Sequence, residues 1–238
     1  MILERTTCLR TLSEASGIEL TAYRPAHIED CIRRSQQRDG LSGCEELASR
    51  IRTSSSTRTA FRRLVAVSVT SLFRDQEQFD LLERDLLPEL LSERRRVSVW
   101  SAGCADGSEL YSVAAVLGRV GALHQSFLLG SDLLEENVVV ARRGVYGTEV
   151  ARPEIRSRLR WEQRDLVRDG APRGAFRLIF CRNVAIYLTP PAKQRLHEML
   201  VKSLATRGVL LLGRSERLAD PAALGMERVI PHVYRRIR

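Results

Sequence analysis

The chain is poor in the features that mark secreted, metal-bound or membrane proteins. Its five cysteines (Cys8, Cys31, Cys44, Cys104, Cys181) are scattered, odd in number and include no Cys-x-x-Cys pair. That pattern predicts neither a disulfide framework nor a zinc site. The four histidines (His27, His124, His197, His232) form no close-spaced ligand pair, so no metal is expected. No apolar run approaches the roughly 18 residues a membrane helix needs. The opening Met1-Ile2-Leu3-Glu4-Arg5 lacks the basic-then-apolar pattern of a signal peptide. The expectation is a cytoplasmic protein with no membrane insertion. Aromatic residues are only 5% of the chain, few for stacking nucleic-acid bases.

What is present is an ordinary globular composition, 44% hydrophobic over 238 residues, with acids outnumbered to a net charge of +9. The length allows one large domain, or a small one and a medium one. The charge suits an acidic partner or a solvated arginine-rich surface. Residues 1–80 read as helical, with segments about Leu9, Leu12 and Ile18, over 26–38, over Ser42–Ile51 and over Thr57–Val67. Residues 70–92 read as one connecting helical stretch whose core face is Phe73, Phe79, Leu81, Leu82, Leu86 and Leu87. From about 96 the texture becomes strands (Val97–Trp100, Phe127–Ser131, Phe176–Cys181, Val209–Gly213) alternating with helices (108–119, 135–143, 190–204). A last antiparallel pair is expected in Met226–Arg236. Alternation of this kind predicts a mostly parallel sheet covered by helices. The domains expected are 1–80, helical with its connecting segment, and 81–238, α/β.

Residues 98–112 carry the strongest local signal. A β-branched run ends at Trp100, a turn with Gly103 and Gly107 follows, and a helix starts near Ser108. Glycine removes the Cβ that would keep a cofactor off the backbone. Asp132 ends the next strand, where an acid can accept both hydroxyls of a ribose. Gly103-x-x-x-Gly107 is not the Gly-x-Gly-x-x-Gly of a dinucleotide site. A sulfonium cofactor has no pyrophosphate and suits carboxylates, and Asp106, Glu109, Asp132 and Asp165 all fall near strand ends. This chemistry favours S-adenosylmethionine over a nicotinamide dinucleotide. Asp106 also reads as a helix cap, and Glu109 as an acid in a first helical turn.

Six segments then occur in order: Thr70–Asp75, Trp100–Gly107, Glu109 with Tyr111-Ser112, Ala141–Tyr146, Phe180–Tyr187 and Leu212–Glu216. With Ala15–Ile18 they resemble the chemotaxis receptor methyltransferases, the CheR family, over nearly the whole chain. The resemblance implies a class I S-adenosylmethionine-dependent methyltransferase fold, Rossmann-like, behind a small all-helical N-terminal domain. It implies methyl transfer to glutamate side chains of chemoreceptors, with S-adenosylhomocysteine as product.

By motif position, Thr70 and Arg74 belong to a loop closing over the cofactor. Gly103, Glu109, Asp132, Asp165, Leu166, Asn183 and Val184 line the cofactor site. Tyr187 lies near the transferring methyl, and Arg74 and Tyr187 are the expected catalytic pair. Ser68 stands where the family has asparagine and is assigned to the cofactor. Ser108 and Leu110 replace a glutamate and a proline, Asp165 an asparagine, and Arg214 a frequent histidine. Between Tyr146 and the adenine segment only Gly147–Arg164 intervenes, too short for the β-subdomain of receptor-tethering members. Arg152–Arg160 reads there as one short helix. The basic Arg33, Arg34 and Arg38 suit an acidic receptor bundle.

Two other functions are weighed. The altered Ser108-Glu109-Leu110 is compatible with a non-catalytic methyltransferase-like binding module. A nucleic-acid methyltransferase is disfavoured because Cys181-Arg-Asn-Val-Ala-Ile stands where amino-methylating enzymes carry Asn/Asp-Pro-Pro-aromatic.

Overall fold

Seven strands form one sheet in the computed structural model: β1 Ser98–Ala102, β2 Phe127–Asp132, β3 Leu159–Gln163, β4 Phe176–Cys181, β5 Leu204–Leu212, β6 Met226–Ile230 and β7 Val233–Arg236. Residues 2–93, 96–146 and 152–237 are described. The strand order is β3-β2-β1-β4-β5-β7-β6. The first five strands run parallel, and β7 returns antiparallel to β5. Every residue of β4 is buried, as expected of a parallel strand covered on both faces. The edge strand β6 instead exposes four of its five residues, among them Glu227 and Arg228, and charge on an edge discourages pairing with other chains.

The core of this unit joins Val97, Val99, Leu128, Leu178, Phe180, Val209 and Leu211 to helix α7, Ser108–Arg119. Trp100 is fully buried, and its indole N–H donates to Ser131 Oγ at 2.9 Å. The order reverses at β1, which lies between β2 and β4. A ligand crevice forms beyond the carboxyl ends of strands at such a switch.

Two compact units divide the chain: Met1–Ser68 with Tyr187–Lys193, and Val69–Ile186 with Gln194–Arg238. The boundary therefore falls earlier than the expected residue 80. Phe79 supplies the reason, since its ring stacks on Phe180 of β4 and draws this stretch into the sheet core. Residues 70–92 are also not one helix. Helical structure begins with α5 at Gln76–Leu81, passes through a π turn at Leu82–Leu86 and ends in α6, Leu87–Glu93. Thr70–Asp75 is a loop, in which Phe73 (φ 52°) and Asp75 (φ 60°) adopt a backbone that no helix permits.

The helical unit contains α1 Ile2–Ser16, α2 Pro25–Asp39, α3 Cys44–Thr53 and α4 Ser55–Val65. Leu12, Ile18, Leu20, Ile28, Leu47, Ile51, Phe61 and Val65 form its buried set. Ser54 caps α4, its hydroxyl accepting the Thr57 N–H at 3.2 Å. Tyr187, Leu188 and Thr189 attach here through Arg24 N–H to Tyr187 O (2.8 Å) and Thr189 N–H to Ala22 O (2.8 Å). One expectation fails in this unit. Cys8 and Cys44 form a disulfide, because α1 and α3 pack side by side and bring the two Cα atoms to 5.8 Å. The odd, scattered cysteine count carried no trace of that proximity.

Between Tyr146 and Arg164, residues 147–151 lie outside the described residues. The remainder is α9, Pro153–Arg156, followed by β3. Leu159 and Arg160 thus belong to a strand rather than to the expected helix, since Leu128 and Leu129 of β2 offer them a parallel ladder. Helix α8 is Glu135–Arg143 and α10 is Pro190–Lys202. Among the described residues no helix is long and apolar enough to cross a membrane.

Candidate active site

The crevice is built on the turn after β1. The N–H groups of Gly103 and Cys104 both donate to Ser131 O, at 2.8 and 2.9 Å, pinning the turn to β2. Gly103 has φ 80°, and a Cβ there would lie 2.5 Å from Val184 Cγ2. The turn and the segment after β4 therefore touch at a position where a side chain does not fit. Ala105 is held at φ 48° by donating its N–H to Asp132 Oδ2 at 2.9 Å. Asp106 accepts the Ser108 N–H at 2.9 Å from one residue before the cap position, which Gly107 occupies, so it closes a local turn rather than capping α7.

Asp132 is buried at the end of β2. Its Oδ1 accepts the Leu134 N–H and the Asn137 amide, each at 2.9 Å. With Ala105, three donors occupy a carboxylate that has about four acceptor sites. Burial raises its pKa, and the three hydrogen bonds oppose the shift.

The Arg164 N–H donates to Asp132 O at 2.8 Å and carries the next residue, Asp165, to the same sheet end. Asp165 is 5% exposed, and its Oδ1 accepts the N–H groups of Val167 (2.9 Å) and Arg168 (3.2 Å). Its Oδ2 is buried with no partner. A bare acceptor of this kind costs about 1–3 kcal/mol until something donates to it. Burial accordingly raises the Asp165 pKa. Leu166 follows, half-buried.

Glu109, in the first turn of α7, faces Ser101 Oγ (2.7 Å) and the Arg182 guanidinium (3.2 Å). Burial pushes its pKa up, while Arg182 pulls it down. The Arg182 side chain is 4% exposed. It donates to Arg74 O at 2.7 Å, ion-pairs with Asp75 and lies 5.8 Å from the Phe79 ring centroid. Arg182 thereby ties the Thr70–Asp75 loop to Glu109.

Arg74 itself donates to Val69 O at 2.6 Å. The acids beside it are taken, Asp75 by Arg182 and Arg214 and Glu77 by Arg214. Thr70 is half-buried on the same loop.

Asn183, at φ 61°, and Val184 leave β4 in a turn held by Glu216. Glu216 is 1% exposed and accepts three N–H groups, from Asn183 (2.6 Å), Ala185 (2.8 Å) and Gly213 (2.9 Å). Left-handed backbone at Phe73, Asp75, Ala105 and Asn183 costs roughly 1–3 kcal/mol per residue and persists only where surrounding bonds enforce it.

The structure thus brings Gly103, Asp132, Asp165 and Val184 to the carboxyl ends of the strands, and it links Glu109 to the Arg74 loop. Ser68 and Tyr187 fall in the other unit. Ser68 is exposed and donates to Ala66 O at 3.1 Å, and the Tyr187 ring lies 4.9 Å from that of His27. Sequence reasoning gave no role to Arg182 or Glu216. Both stood inside quoted motifs, Arg182 directly after the apolar run of β4 and Glu216 four residues beyond the end of β5, and a buried charge near a strand end needs partners.

A crevice with carboxylates and a close-approach glycine, at the switch point of a 3-2-1-4-5-7-6 sheet, defines a class I methyltransferase. The family profile described as "CheR methyltransferase, SAM binding domain" matches residues 68–153 and 147–229. The chain belongs to this family, and its cofactor is S-adenosylmethionine.

It is similar to a chemotaxis protein methyltransferase of Listeria monocytogenes, 33% identical over 192 residues, 70% of this chain and 71% of that protein. It is also similar to one of Listeria innocua, 29% identical over 243 residues, 91% of each chain. Among solved structures it resembles the S-adenosylmethionine-bound amino pentose methyltransferase CalS10 of Micromonospora echinaspora, 17% identical, covering 60% of this chain and 57% of that one with a TM-score of 0.40. The residues present fit the cofactor. Asp165 Oδ2 is a buried acceptor awaiting an amine donor such as that of adenine, and Gly103 leaves bare backbone at the bend.

Proposed function

We propose that the enzyme esterifies glutamate side chains of an acidic protein, the cytoplasmic region of a chemoreceptor, without tethering to a receptor's C-terminal peptide. The observation that supports this most directly is the pairing around Arg74. Its own contact is a neutral carbonyl, Val69 O, while both neighbouring acids are engaged by other arginines. An arginine in that state binds an incoming carboxylate in preference to a carbonyl, because a charge-assisted fork is about twice as strong as a neutral hydrogen bond.

S-adenosylmethionine supplies an electrophilic methyl group on a sulfonium. A glutamate carboxylate, with a reference pKa near 4.3, is already ionised at neutral pH, so no general base is needed. Arg74 orients that carboxylate. Asp132 offers its remaining acceptor site to a ribose hydroxyl, and Asp165 and Leu166 flank the adenine. Glu109 and Asn183 hold polar groups of the cofactor, and Gly103 and Val184 close the floor against water. Thr70 belongs to the loop that closes over the cofactor.

The test is a tritiated methyl-transfer assay against membranes and cytosol. Base-labile counts on a membrane protein, lost with Arg74→Ala, are expected. Base-stable counts would mean a different acceptor atom. No counts together with no cofactor binding by calorimetry would leave a binding module.

A further inference from the structure

At the amino ends of β1, β2, β4 and β5, opposite the crevice, lies a cavity of about 580 Å³. That is within the range of roughly 300–1,000 Å³ usual for small-molecule sites. Its walls include Arg96, His124, Phe127 and Arg177, with Glu93 as their acid. Glu93 is already engaged by Arg177 on one oxygen and by Arg207 on the other, both at 2.5 Å. Phe127, the first residue of β2, is 50% exposed. Its ring also lines a second cleft of about 210 Å³, with Arg158 and Arg160.

Arg158 donates to the His124 carbonyl at 3.1 Å and contacts its ring Nδ1 at 3.2 Å. Arg160 donates to the Ser157 and Leu159 carbonyls at 3.1 and 3.3 Å. Among the described residues no carboxylate pairs with Arg96, Arg158 or Arg160. A solvated aromatic face thus stands between two clefts whose four arginines answer one glutamate.

We propose that this end of the sheet binds a nucleoside polyphosphate, with its base on Phe127 and its phosphates on Arg96 and Arg158. Guanidinium forks match phosphate oxygens. A flat base covers an exposed phenyl ring without needing sequence-specific partners. Simple anions leave the ring bare, and a segment of acidic side chains alone brings no aromatic ring to stack on it. The site is separate from the adenosyl crevice, because β1 spans roughly 13 Å between the two ends.

The test uses the full-length enzyme at saturating S-adenosylhomocysteine, which occupies the crevice. Binding of a fluorescent N-methylanthraniloyl ADP is followed by anisotropy. Saturable binding is expected, displaced by ATP and GTP. It should weaken at least tenfold in Arg96→Glu, in Arg158→Glu and in Phe127→Ser, with S-adenosylhomocysteine affinity unchanged in all three. Displacement by inorganic pyrophosphate as effective as by ATP, with Phe127→Ser behaving like wild type, overturns the stacked base. Displacement by a hexaglutamate peptide but not by ATP overturns the nucleotide in favour of an acidic segment. A signal that does not saturate, or that the three substitutions leave alone, overturns the site.

Discussion

Near the carboxyl ends of β1, β2 and β3 stand Glu109, Asp132 and Asp165, whereas the amino ends of β1, β4 and β3 are met by Arg96, Arg177 and Arg158. The acids are buried and their pKa values raised, so each is costly to the empty fold. Most of the arginines sit in solvent, where a charge costs almost nothing. Left-handed residues occur at both ends, Ala105 and Asn183 beside the acids and Arg207 beside Glu93 at the other. Buried acids with raised pKa values are thus confined to one end of the sheet in this comparison. At the opposite end the exposed Arg96 and Arg158 cost little, while the buried Arg177 is paired with Glu93.

The comparison breaks first at Arg74. Arg74→Ala is expected to lower turnover on the order of 10³-fold, since the role proposed for Arg74 is to orient the acceptor carboxylate. Circular dichroism should be unchanged, and wild-type turnover would refute the role. Arg182→Met comes next. It leaves the buried Glu109 without its arginine and Asp75 with Arg214 alone, and breaking a buried pair costs about 3–5 kcal/mol; urea denaturation measures the loss. A loss under 1 kcal/mol would mean that the two acids find other partners.

Asp132→Ala should weaken S-adenosylhomocysteine binding about tenfold, near 1.4 kcal/mol, by calorimetry. Unchanged affinity would move the ribose elsewhere.

The smallest effect sharpens the contrast through pH. Burial raises the Asp165 pKa, so the unfolded chain gives up this proton first. The stability that Asp165 contributes therefore falls as pH rises from about 4 through its raised folded value. Asp165→Asn has no proton to lose, and its amide oxygen keeps the Val167 and Arg168 bonds. Its Tm relative to wild type should climb by a few degrees between pH 4 and pH 7, and a flat difference would place the ionised acid in contact with a donor.

Much of this was legible in the chain. Trp100–Gly107 announced strand, turn and helix because glycine spacing and apolar runs are local properties. β1, β2 and β4 were readable as short apolar runs between turn residues. β3 was not, because Leu159–Gln163 carries two arginine and glutamate charges and becomes a strand only by pairing with β2. Thr70–Asp75 was drawn into the helical reading of 70–92 because Phe73 extends the apolar face of Phe79, Leu82 and Leu86, yet the bond from Phe73 N–H to Ser112 Oγ at 2.9 Å directs that backbone elsewhere. The Cys8–Cys44 link and the grip of Arg182 on Asp75 join residues far apart in sequence, and no window of local reading contains both partners.

Glu216 gives the crevice an unusual dependence on a distant part of the chain. One carboxylate receives three main-chain donors from the exits of β4 and β5, so two backbones about thirty positions apart share a single clasp. A glutamine at 216 would present hydrogens to hydrogens at one of those oxygens. The resulting slackness would be felt at Asn183 and Val184 rather than where the change was made.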